Sequence, residues 1–599
     1  MPRTMSGADM IVQVLADEGV DAVFGYSGGA ILPTYDAVFR YNEDCKASGG
    51  REIQLIVPAS EQGAGFMAAG YARASGKVGV FMVTSGPGAT NCVTPVRDCM
   101  ADSVPVVLIT GQVPRAALGS DAFQEAPVFN LMSMCAKHAF LVTKPEELEG
   151  TMRAAFEIAR SGRPGPVVVD VPKDVQNWLG VYHGNNRLKL VGYERRTRAI
   201  RESRIAPEHA QAFFDSLAAS ERPLIYAGGG VISSGAAPEL RQFASRFGIP
   251  VVTTLMGIGA MDTSDPLSFH MLGMHGAAYA NYAVEDCDFL IAIASRFDDR
   301  VAGKPTQFAP KSRFIAHIDI DPAEHGKVKP STWSHAGDAK LTLLDLIEAG
   351  AGFNKDFSAW RDYLGILRRD HAHNYDRKNP LIQPQYVLEC LNDIVRGEAI
   401  VTTGVGQHQM WAAQYLAFKH ARSWLTSGSM GTMGFGLPAA IGAQFACPGR
   451  LVINIDGDGS IRMNFGELET VTTYGLPIKV LVLNNNGDGM VRQWQRLYFA
   501  ERFCATDKSL HKKDFIKAAE ADGFEFAVRV SERSELPRVL KMFVEFEGPA
   551  FLEVAIDPNA CVFPMVGPGL GYKEMITGEF IPSRQAVEAA ETGGKTDLF

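Results

Sequence analysis

The chain lacks any hydrophobic run as long as a membrane-spanning helix, which needs about 18 consecutive apolar residues. Its amino-terminal stretch, MPRTMSGADMIVQVLADEGV, interrupts its apolar positions with Asp and Glu. That pattern fits neither a signal peptide nor an Arg- and Ser-rich transit sequence. We therefore expect a cytoplasmic location and no membrane partner.

Clusters of positive charge and of cysteine are absent as well. The formal net charge is -9 and the sequence pI is about 5.9, whereas general nucleic-acid binding requires clustered Lys and Arg. The 9 cysteines form no CxxC pair and no metal-like spacing, and their number is odd. We expect no nucleic-acid partner, and reduced thiols rather than disulfides or a zinc site.

What the sequence does contain is a repeated rhythm of strands and helices. Its length predicts three or four domains, and 46% apolar with 21% charged residues is ordinary globular composition. The alternation is typical of α/β domains with doubly wound parallel sheets, in which ligands bind at the carboxyl ends of the strands. Strands are predicted at 22–24, 53–57, 78–84, 104–110, 167–171, 224–227, 251–254, 289–294, 314–320, 451–455 and 478–483.

The stretch 451–494 contains the clearest candidate site. Its two predicted strands are joined by a predicted helix with Met463, Leu468 and Val471 on its apolar face. A right-handed crossover makes the strands parallel, so the loops after both strands leave from one edge of the sheet. Asp458 and Asn485, which lie in these loops, should therefore meet.

Asp458 and Asn485 offer a carboxylate oxygen and an amide oxygen, which are hard ligands suited to Mg2+. Two protein ligands leave most of an octahedron open for water and phosphate oxygens. The sequence thus predicts a site for a divalent cation that coordinates a diphosphate. The alternative is an ordinary Rossmann-like pair of loops with polar ends.

A second candidate, Glu61, follows the predicted strand 53–57. Ser60 is well placed as an N-cap and Glu61 falls in the first helical turn, so Glu61 could simply complement the helix dipole. The helix that it opens, GAGFMAAGYARAS, has almost no charge in its first two turns and is predicted to be buried. A buried acid without a partner is costly, which favours a functional role for Glu61.

The first and last thirds of the chain echo one another. A shift of 373 positions aligns Gly86 with Gly459, and in both places a small-residue helix leads through a turn into an apolar strand and a glycine loop. Chance is the alternative explanation. If the echo is real, two related sheet domains share one ligand, with Glu61 from one domain and the Asp458 loop from the other.

The middle of the chain and its tail carry weaker signals. Glycines 228–230 follow a predicted strand without a GxGxxG fingerprint, so a dinucleotide site and a purely structural Rossmann-like domain both remain open. Residues 350–379 are predicted to be a helical connection into the last domain. The apolar, glycine-rich segment 563–572 is predicted to fold over a site, and 591–599 are expected to be disordered.

Taken together, the motifs resemble those of thiamine-diphosphate enzymes. Besides the GDG and NN loops, the chain contains GYSGGAILPTYDA, SEQGAGF, TSGPGATN, DAFQEAP, SGRPGPVVVDVPKD, LGMHG, SRFDDRVAG, TTGVGQHQMWAAQ and GMVRQWQ. Within that superfamily, the chain resembles acetohydroxyacid synthase (acetolactate synthase) catalytic subunits over residues 5–575. The resemblance implies a pyrimidine-binding domain at 1–185, a central Rossmann-like FAD-binding domain at 186–375, a diphosphate-binding domain at 376–560, and a tail at 561–599 that covers the active site.

The resemblance also implies an activity. The enzyme would decarboxylate pyruvate on thiamine diphosphate and transfer the two-carbon unit to a second 2-ketoacid, pyruvate or 2-ketobutyrate, in branched-chain amino-acid biosynthesis. Its cofactors would be thiamine diphosphate, Mg2+ and a non-redox FAD. It would form a homodimer or homotetramer with active sites at the subunit interface, and a separate regulatory small subunit is left open. The alternatives are glyoxylate carboligase, catabolic acetolactate synthase, or a non-catalytic homologue.

Cofactor contacts follow from the family's motifs, residue by residue. Glu61 would face N1' of the aminopyrimidine, and Met433 would prop the two cofactor rings, although Met433 could instead be core packing. The metal ligands would be Asp458, Asn485 and the Gly487 carbonyl. The other thiamine-diphosphate contacts would be Gly28, Gly29, Pro87, Asn91, Val405, Gly406, Gln407, His408, Gly431, Gly457, Gly459, Ser460 and Met490. The FAD contacts would be Arg163, Gly228, Gly229, Thr254, Leu255, His275, Gly276, Arg296, Asp298, Asp319 and Asp338.

Substrate contacts are implied in the same way. Arg300 would pair with the carboxylate of the acceptor, a task that suits a guanidinium fork. Met490 and Trp494 would shape the acceptor pocket, although Trp494 could be an ordinary buried aromatic. The other residues of the reaction pocket and its entry would be Phe123, Gln124, Lys173 and Met274.

Departures from the family's pattern lie beside Glu61. Where the family commonly reads KHEQGAGH, this chain has Ala59, Ser60 and Phe66, and GYPGGA has become GYSGGA. We expect these changes to affect the rate and the substrate preference and to leave the cofactors unchanged.

Overall fold

A computed structural model describes residues 3–587, so the predicted disorder of 591–599 lies outside the described residues. The chain folds into three α/β units, each built on a six-stranded sheet whose paired strands are all parallel. The predicted fold class is therefore confirmed. Within residues 3–587, no helix is both long and apolar enough to cross a membrane.

The amino-terminal unit carries the first sheet. Its elements are β1 (Arg3–Ser6), α1 (Gly7–Asp17), β2 (Ala22–Tyr26), α2 (Leu32–Ser48), β3 (Gln54–Ile56), α3 (Glu61–Ser75), β4 (Gly79–Val83), α4 (Pro87–Asn91), α5 (Val93–Ala101), β5 (Val106–Gln112), α6 (Val128–Ser133), β6 (His138–Leu141), α7 (Leu148–Arg160), β7 (Val167–Pro172), α8 (Lys173–Asn177) and β8 (Leu179–Tyr182). The sheet order is β3-β2-β4-β5-β7-β6, and β1 pairs antiparallel with β8.

The middle unit carries the second sheet. Its elements are α9 (Tyr193–Arg201), α10 (Pro207–Ala219), β9 (Pro223–Ala227), α11 (Gly229–Ser233), α12 (Ala237–Phe247), β10 (Val251–Thr253), β11 (Ser268–Met271), α13 (Ala278–Asp286), β12 (Phe289–Ile293), α14 (Asp299–Ala302), β13 (Phe314–Asp319), β14 (Trp333–Ala336), α15 (Ala339–Ala349) and α16 (Ser358–Asp370). Its order, β11-β10-β9-β12-β13-β14, is the strand order of dinucleotide-binding folds.

The carboxyl-terminal unit carries the third sheet. Its elements are α17 (Pro384–Val395), β15 (Ile400–Thr403), α18 (Gln407–Tyr415), β16 (Trp424–Leu425), α19 (Gly436–Ala446), β17 (Val452–Gly457), α20 (Glu467–Thr473), β18 (Lys479–Asn484), α21 (Gly489–Tyr498), α22 (Phe515–Ala521), β19 (Phe526–Val530), α23 (Leu536–Glu545) and β20 (Ala550–Ala555). The sheet order is β16-β15-β17-β18-β20-β19.

The amino-terminal and carboxyl-terminal units share one topology. If the six strands of each sheet are numbered along the chain, both sheets have the spatial order 2-1-3-4-6-5. The third strand, which is β4 in one sheet and β17 in the other, lies between the first and the fourth strands. The glycine loops of Gly86 and Gly459 follow these equivalent third strands. The internal echo in the sequence therefore corresponds to a repeated strand order.

Helices α3 and α19 pack the two related units against each other. A Cβ atom at Gly442 would lie 1.9 Å from the backbone oxygen of Met67, and one at Gly70 would lie 2.2 Å from that of Ala439. Around this contact the two units share one buried apolar cluster, in which the rings of Phe66 and Phe435 meet at 5.5 Å. The glycines and alanines of both helices are needed because larger side chains would hold the backbones apart.

Two details of the predicted organisation are wrong. The helix predicted after Gly459 is a 3-10 turn at Ile461–Asn464 followed by the short α20, and Met463 is 57% exposed rather than on an apolar face. The chain buries Asn464 instead, because the Asn464 amide donates to the Gly434 carbonyl at 2.8 Å. Leu468 and Val471 are buried as expected.

The second correction concerns the predicted connection at 350–379. Its helix α16 belongs to the core of the middle unit, because Trp360, Leu364 and Leu367 form a buried face at helical spacing. The Trp360 indole N–H also donates to the Pro223 carbonyl at 3.0 Å. The link into the carboxyl-terminal unit is therefore shorter than predicted and lies at 371–383.

The close approach of α3 and α19 yields a stability prediction. Gly442→Ala should destabilise the protein by about 1–3 kcal/mol, because the added methyl overlaps the Met67 backbone. The control Gly365→Ala, on the exposed face of α16 with nothing within 4 Å of its Cβ position, should stabilise by about 0.5–1 kcal/mol. Thermal unfolding midpoints measure both. Equal midpoints for the two variants would contradict this packing.

Candidate active site

A cavity opens at the carboxyl edge of the sheet in the carboxyl-terminal unit. It lies where β15, β17 and β18 end, which is where a doubly wound sheet binds its ligands. Twelve of the predicted cofactor residues line it, namely Val405, Gly406, Gln407, His408, Met433, Gly457, Asp458, Gly459, Ser460, Asn485, Gly487 and Met490. Gly431 lies just behind this lining, because a Cβ on it would be 3.7 Å from a Val405 methyl.

Asp458 and Asn485 meet in this cavity, as predicted from their positions. Asp458 is 2% exposed and accepts a hydrogen bond from the Asn485 backbone N–H, while the Asn485 amide oxygen accepts from the Gly487 N–H at 3.2 Å. No side chain in the described part of the chain donates a hydrogen bond to Asp458. Burial raises the pKa of its carboxyl to about 7. The arrangement leaves a buried acid whose charge a cation would stabilise.

A metal here would depend on mixed oxygen donors. Across residues 3–587, no group of three or more His, Cys, Asp or Glu side chains could hold an ion. The oxygen donors that line this edge are the carboxylates of Asp458 and Asp488, side-chain amide oxygens and backbone carbonyls. Such hard oxygen donors with open positions suit Mg2+ bound together with phosphate oxygens rather than Zn2+.

The glycines of the cavity allow a ligand to approach the backbone. A Cβ atom at Gly457 would lie 2.6 Å from Nδ1 of His408, and one at Gly459 would lie 2.2 Å from Oδ1 of Asp488. The His408 ring is buried, which lowers its pKa to about 3 and keeps the ring neutral. The floor of the cavity is therefore backbone and a neutral imidazole.

Several lining residues were not predicted. These are Trp411, Leu483, Asp488, Gly489, Val491 and Ile556. Asp488 is already neutralised by an ion pair with Lys508. Asp488 and Gly489 adjoin the predicted Gly487 and Met490, so their position was a usable signal. Trp411 and Ile556 carry no such signal, because only the packing of their elements brings them to the site.

Glu61 lies at the carboxyl edge of the related sheet in the amino-terminal unit. Ser60 caps α3, as predicted, by accepting from the Gly63 N–H at 3.1 Å. The Asn91 amide donates to the Glu61 carboxylate at 3.0 Å, and a Cβ atom at Gly88 would be 3.4 Å from it. Glu61 and Asn91, predicted separately, are therefore direct partners.

The other residues predicted in this unit follow the same sheet edge. Gly28 packs on the Thr84 side chain after β4, and Gly29 beside it has open space. Gln124 packs on Gly86, which precedes Pro87 at the start of α4. Phe123 is 89% exposed, and the half-buried Lys173 begins α8 after β7. The amino-terminal unit thus assembles one group of predicted residues.

The two groups remain separate within one chain. None of the hydrogen bonds or ion pairs found among residues 3–587 joins Glu61, Asn91 or Gln124 to the lining of the carboxyl-terminal cavity. Each group occupies the ligand-binding edge of its own sheet. We refer to the Glu61 group and the cavity lining as two half-sites, because the lining includes no residue of the amino-terminal unit.

The departures beside Glu61 have structural roles. Ser60 is the N-cap, and Phe66 is fully buried against Phe435. The Ala59 N–H donates to the Glu467 carboxylate at 3.1 Å, and a Cβ at Gly63 would lie 1.9 Å from the same carboxylate. Ala59, Ser60 and Phe66 therefore belong to the contact between the two related units, and their effect on rate stays a prediction.

Arg300 and Met274 meet in a second cavity, between the middle unit and the tail. An Arg300 N–H contacts the Met274 sulfur at 3.7 Å, and the Arg300 side chain is 62% exposed. Residues 566–569 and Tyr572 form the opposite wall. The tail thus folds against the cavity that contains Arg300, and its role as an active-site cover stays a prediction.

Helix α21 connects the two cavities. Met490 lines the first cavity, and the half-buried Trp494 lies one turn further along, with its ring 5.5 Å from that of Tyr498. A Cβ atom at Gly567, in the wall of the second cavity, would be 2.8 Å from the Tyr498 hydroxyl. Trp494 thus lies between the first cavity and the cavity that contains Arg300.

In the middle unit, predicted FAD residues lie at the carboxyl end of every strand, so they share one edge of the sheet. The set after β9, β10, β11, β12, β13 and β14 comprises Gly228, Gly229, Thr254, Leu255, His275, Gly276, Arg296, Asp298, Asp319 and Asp338. The buried Nδ1 of His275 has no hydrogen-bond partner in the described structure. Burial raises the pKa of Asp319 to about 6. These two buried groups fit a polar ligand at this edge.

Some of the predicted FAD residues already have partners. Thr254, Asp298 and Asp338 cap the helices or turns that follow them. Arg163, from the amino-terminal unit, donates to Glu324 at 2.7 Å, and Arg296 donates to Ser429 at 2.8 Å. These side chains shape the edge whether or not they contact a ligand.

The sequence matches three family models in succession. Residues 5–134 match the thiamine pyrophosphate enzyme N-terminal TPP binding domain, residues 210–346 match the central domain, and residues 404–554 match the C-terminal TPP binding domain. The three matches fall in the three units in order.

Relatives of known name cover nearly the whole chain. Acetolactate synthase 2, chloroplastic, of Nicotiana tabacum is 44% identical over 581 residues, which is 95% of this chain and 85% of the relative. The acetolactate synthase large subunit of Parasynechococcus marenigrum is 43% identical over 96% of this chain and 91% of its own length. The acetolactate synthase catalytic subunit, mitochondrial, of Saccharomyces cerevisiae is 42% identical over 99% and 87%.

The buried Asp458 predicts opposite effects for two similar substitutions. At pH 8, Asp458→Asn should stabilise the ligand-free protein by about 1–3 kcal/mol, because it removes a buried charge that no side chain hydrogen-bonds. Asp488→Asn in the same cavity should destabilise it, because Lys508 loses its partner. Thermal unfolding midpoints of the two variants measure this. A lower midpoint for Asp458→Asn would show that the carboxylate is already stabilised.

Proposed function

The chain belongs to the acetolactate synthase family of thiamine-diphosphate enzymes, and on that premise we propose how its residues serve the reaction. The enzyme decarboxylates pyruvate and transfers the two-carbon unit to a second 2-ketoacid, giving 2-acetolactate or 2-aceto-2-hydroxybutyrate. The proposed residue roles rest on one observation: the two half-sites lie on sheets that have the same strand order. One half-site holds a buried carboxylate suited to a metal and diphosphate, and the other holds Glu61.

We propose that Mg2+ binds between Asp458, Asn485 and the Gly487 carbonyl. The support is the burial of Asp458 without a hydrogen-bonding side chain, together with glycines that leave the backbone accessible. The metal would neutralise the diphosphate and anchor it at the strand ends. Val405, Gly406 and Ser460 would line the remainder of the diphosphate path.

Glu61 would hold and move a proton at N1' of the aminopyrimidine. Because the Glu61 and Asp458 edges do not join within one chain, we propose that a second copy supplies the Glu61 edge to each cavity. Asn91 would orient the Glu61 carboxylate through its 3.0 Å hydrogen bond. This arrangement makes a homodimer the smallest active form.

Thiamine diphosphate, when bound, would supply an acidic carbon that adds to the 2-keto group as its conjugate base, and a cationic ring that can take up the electron pair released with CO2. The protein's part is to orient and to exclude water. Met433 at the cavity lining would hold the cofactor rings, while Trp411, Leu483 and Ile556 make the deeper wall apolar. An apolar wall strengthens the electrostatic contacts of Glu61 and the metal.

Arg300 would bind the carboxylate of the second 2-ketoacid. Its side chain is exposed in the second cavity and has no hydrogen-bonded carboxylate partner among the described residues, with Asp299 at 3.9 Å. Met490 and Trp494, on α21 between the two cavities, would bound the acceptor's alkyl group. Gln124, Phe123, Lys173 and Met274 would line the entry.

FAD is proposed for the middle unit as a structural group. The support is the dinucleotide-type strand order and the buried, unpartnered Nδ1 of His275 at the carboxyl edge. We also propose a cytoplasmic location and no nucleic-acid partner, in keeping with the acidic composition. A regulatory small subunit stays an open part of this proposal.

The proposed role of Glu61 predicts that its substitution lowers the reaction rate without loss of thiamine-diphosphate binding. Glu61→Gln should lower the rate of acetolactate formation by about 100-fold or more, because N1' loses its proton partner, and should retain thiamine-diphosphate binding. Asp458→Ala should lose binding, because the metal loses its charged ligand. Tryptophan fluorescence titration with thiamine diphosphate and Mg2+, beside product analysis from pyruvate with and without 2-ketobutyrate, measures both. Normal turnover by Glu61→Gln would overturn the assignment.

The proposed role of Arg300 predicts a defect confined to the acceptor. Arg300→Gln should raise the KM for 2-ketobutyrate by about 10-fold or more, because a charge-assisted contact to its carboxylate is lost. CO2 release from pyruvate should change much less. Lys304→Gln, which removes an exposed cation nearby, is the control. Equal effects of the two substitutions would contradict the assignment.

A further inference from the structure

Three buried charges lie between the amino-terminal and carboxyl-terminal units, away from both half-sites. Arg73 of α3 contacts Asp98 of α5 at 3.3 Å and Asp102 at 2.9 Å. The side chain of Arg73 is 9% exposed, and both carboxylates are fully buried. The reaction described above uses none of them, and nothing in the sequence motifs singled them out.

Both carboxylates bind one loop of the carboxyl-terminal unit, residues 427–432, which we name the junction loop. Asp102 accepts hydrogen bonds from the backbone N–H groups of Gly428 and Ser429, each at 2.9 Å. Asp98 accepts from the Thr432 hydroxyl at 2.8 Å and from the Ser427 hydroxyl. Both ends of the loop are therefore tied to the amino-terminal unit.

The junction loop leads directly into Met433. The Ser427 hydroxyl also accepts from the Thr432 N–H at 2.9 Å, which closes the loop on itself. On the far side of Met433, the Gly434 N–H donates to Ser460 at 3.1 Å. Met433 is thus fixed on one side by Asp98 and on the other by a residue of the cavity floor.

The middle unit contacts the same loop. Arg296 donates to the Ser429 hydroxyl at 2.8 Å, and a Cβ atom at Gly428 would lie 2.3 Å from the Met256 sulfur. All three units therefore meet at residues 427–432. Residues 429–431 are exposed, so the loop is held by its hydrogen bonds to the neighbouring units rather than by enclosure.

We propose that Asp98 and Asp102 are positioning residues that set the location of Met433 in the cofactor cavity through the junction loop. Arg73 contacts both buried carboxylates and offsets part of their mutual repulsion, and hydrogen bonds from N–H and O–H groups to charged carboxylates are stronger than bonds to neutral acceptors. The inference rests on thiamine-diphosphate binding in the cavity lined by Met433. It adds a route by which contacts in the amino-terminal unit determine the geometry of a site in the carboxyl-terminal unit.

The test uses a matched pair of threonines. Thr432→Val removes the hydroxyl that donates to the buried Asp98 and leaves the three charges in place. Thr110→Val removes a fully buried hydroxyl that donates to the buried Asp170 at 2.6 Å, between neighbouring strands of the amino-terminal sheet rather than at the junction loop. Each variant loses one hydrogen bond to a buried carboxylate, so the two should lose comparable stability.

Two measurements separate positioning from stability. Hydrogen–deuterium exchange of the peptide containing 427–434, followed by mass spectrometry in the cofactor-free protein, reports the loop itself. Exchange of the thiazolium C2 proton in D2O, followed by NMR after acid quench, reports the geometry of the bound cofactor. We expect Thr432→Val to speed the first and slow the second by about 10-fold, as small displacements of positioned groups do. Thr110→Val should change neither.

Asp102→Asn should act in the same direction as Thr432→Val, with Asp170→Asn as its control. Equal behaviour of Thr432→Val and Thr110→Val in both measurements would overturn the positioning role. If the wild-type protein binds thiamine diphosphate without exchanging its C2 proton, the proposed function is wrong. Peptide exchange in the cofactor-free protein still tests whether the bond from Thr432 to Asp98 holds the junction loop in place.

Discussion

The contact between helices α3 and α19 is the constraint on which the rest of the structure depends. Glu61 is the first residue of α3, Arg73 lies near its end, and Met433 shortly precedes α19. Backbone packing at Gly70 and Gly442 fixes the two helices at a separation that larger residues would not allow. The helix that begins with Glu61 is therefore packed tightly against the helix that follows Met433.

The repeated topology explains why the site is divided. Each of the two related sheets has its ligand-binding edge at the carboxyl ends of its strands, and the edges present complementary chemistry. One edge gathers oxygen donors around the buried Asp458, which we propose bind a metal and a diphosphate. The other supplies Glu61 on a capped helix. Because the lining of one edge includes no residue of the other, we propose that two copies combine them.

Much of the fold and part of the site could be predicted from the sequence. Short β-branched runs ending in glycine loops located the strands, because strand ends and tight turns are local properties. The meeting of Asp458 with Asn485 followed from the handedness of one crossover. The 3-10 turn at Ile461–Asn464 did not, because the Asn464 bond to Gly434 overrides the apolar period. The contacts of Asp98 and Asp102 with the junction loop could not be predicted from the sequence, because only tertiary packing brings these residues to the loop.

We propose that each active site combines Glu61 of one chain with Asp458 of another. Subunit mixing tests it most directly: Glu61→Gln and Asp458→Ala chains are co-expressed, and the activity of the mixed protein is compared with that of each variant alone. Random pairing should restore about a quarter of the wild-type activity, because half of the dimers are mixed and each mixed dimer has one intact site of two. A mixture as inactive as either parent would show that each chain builds its site from its own residues.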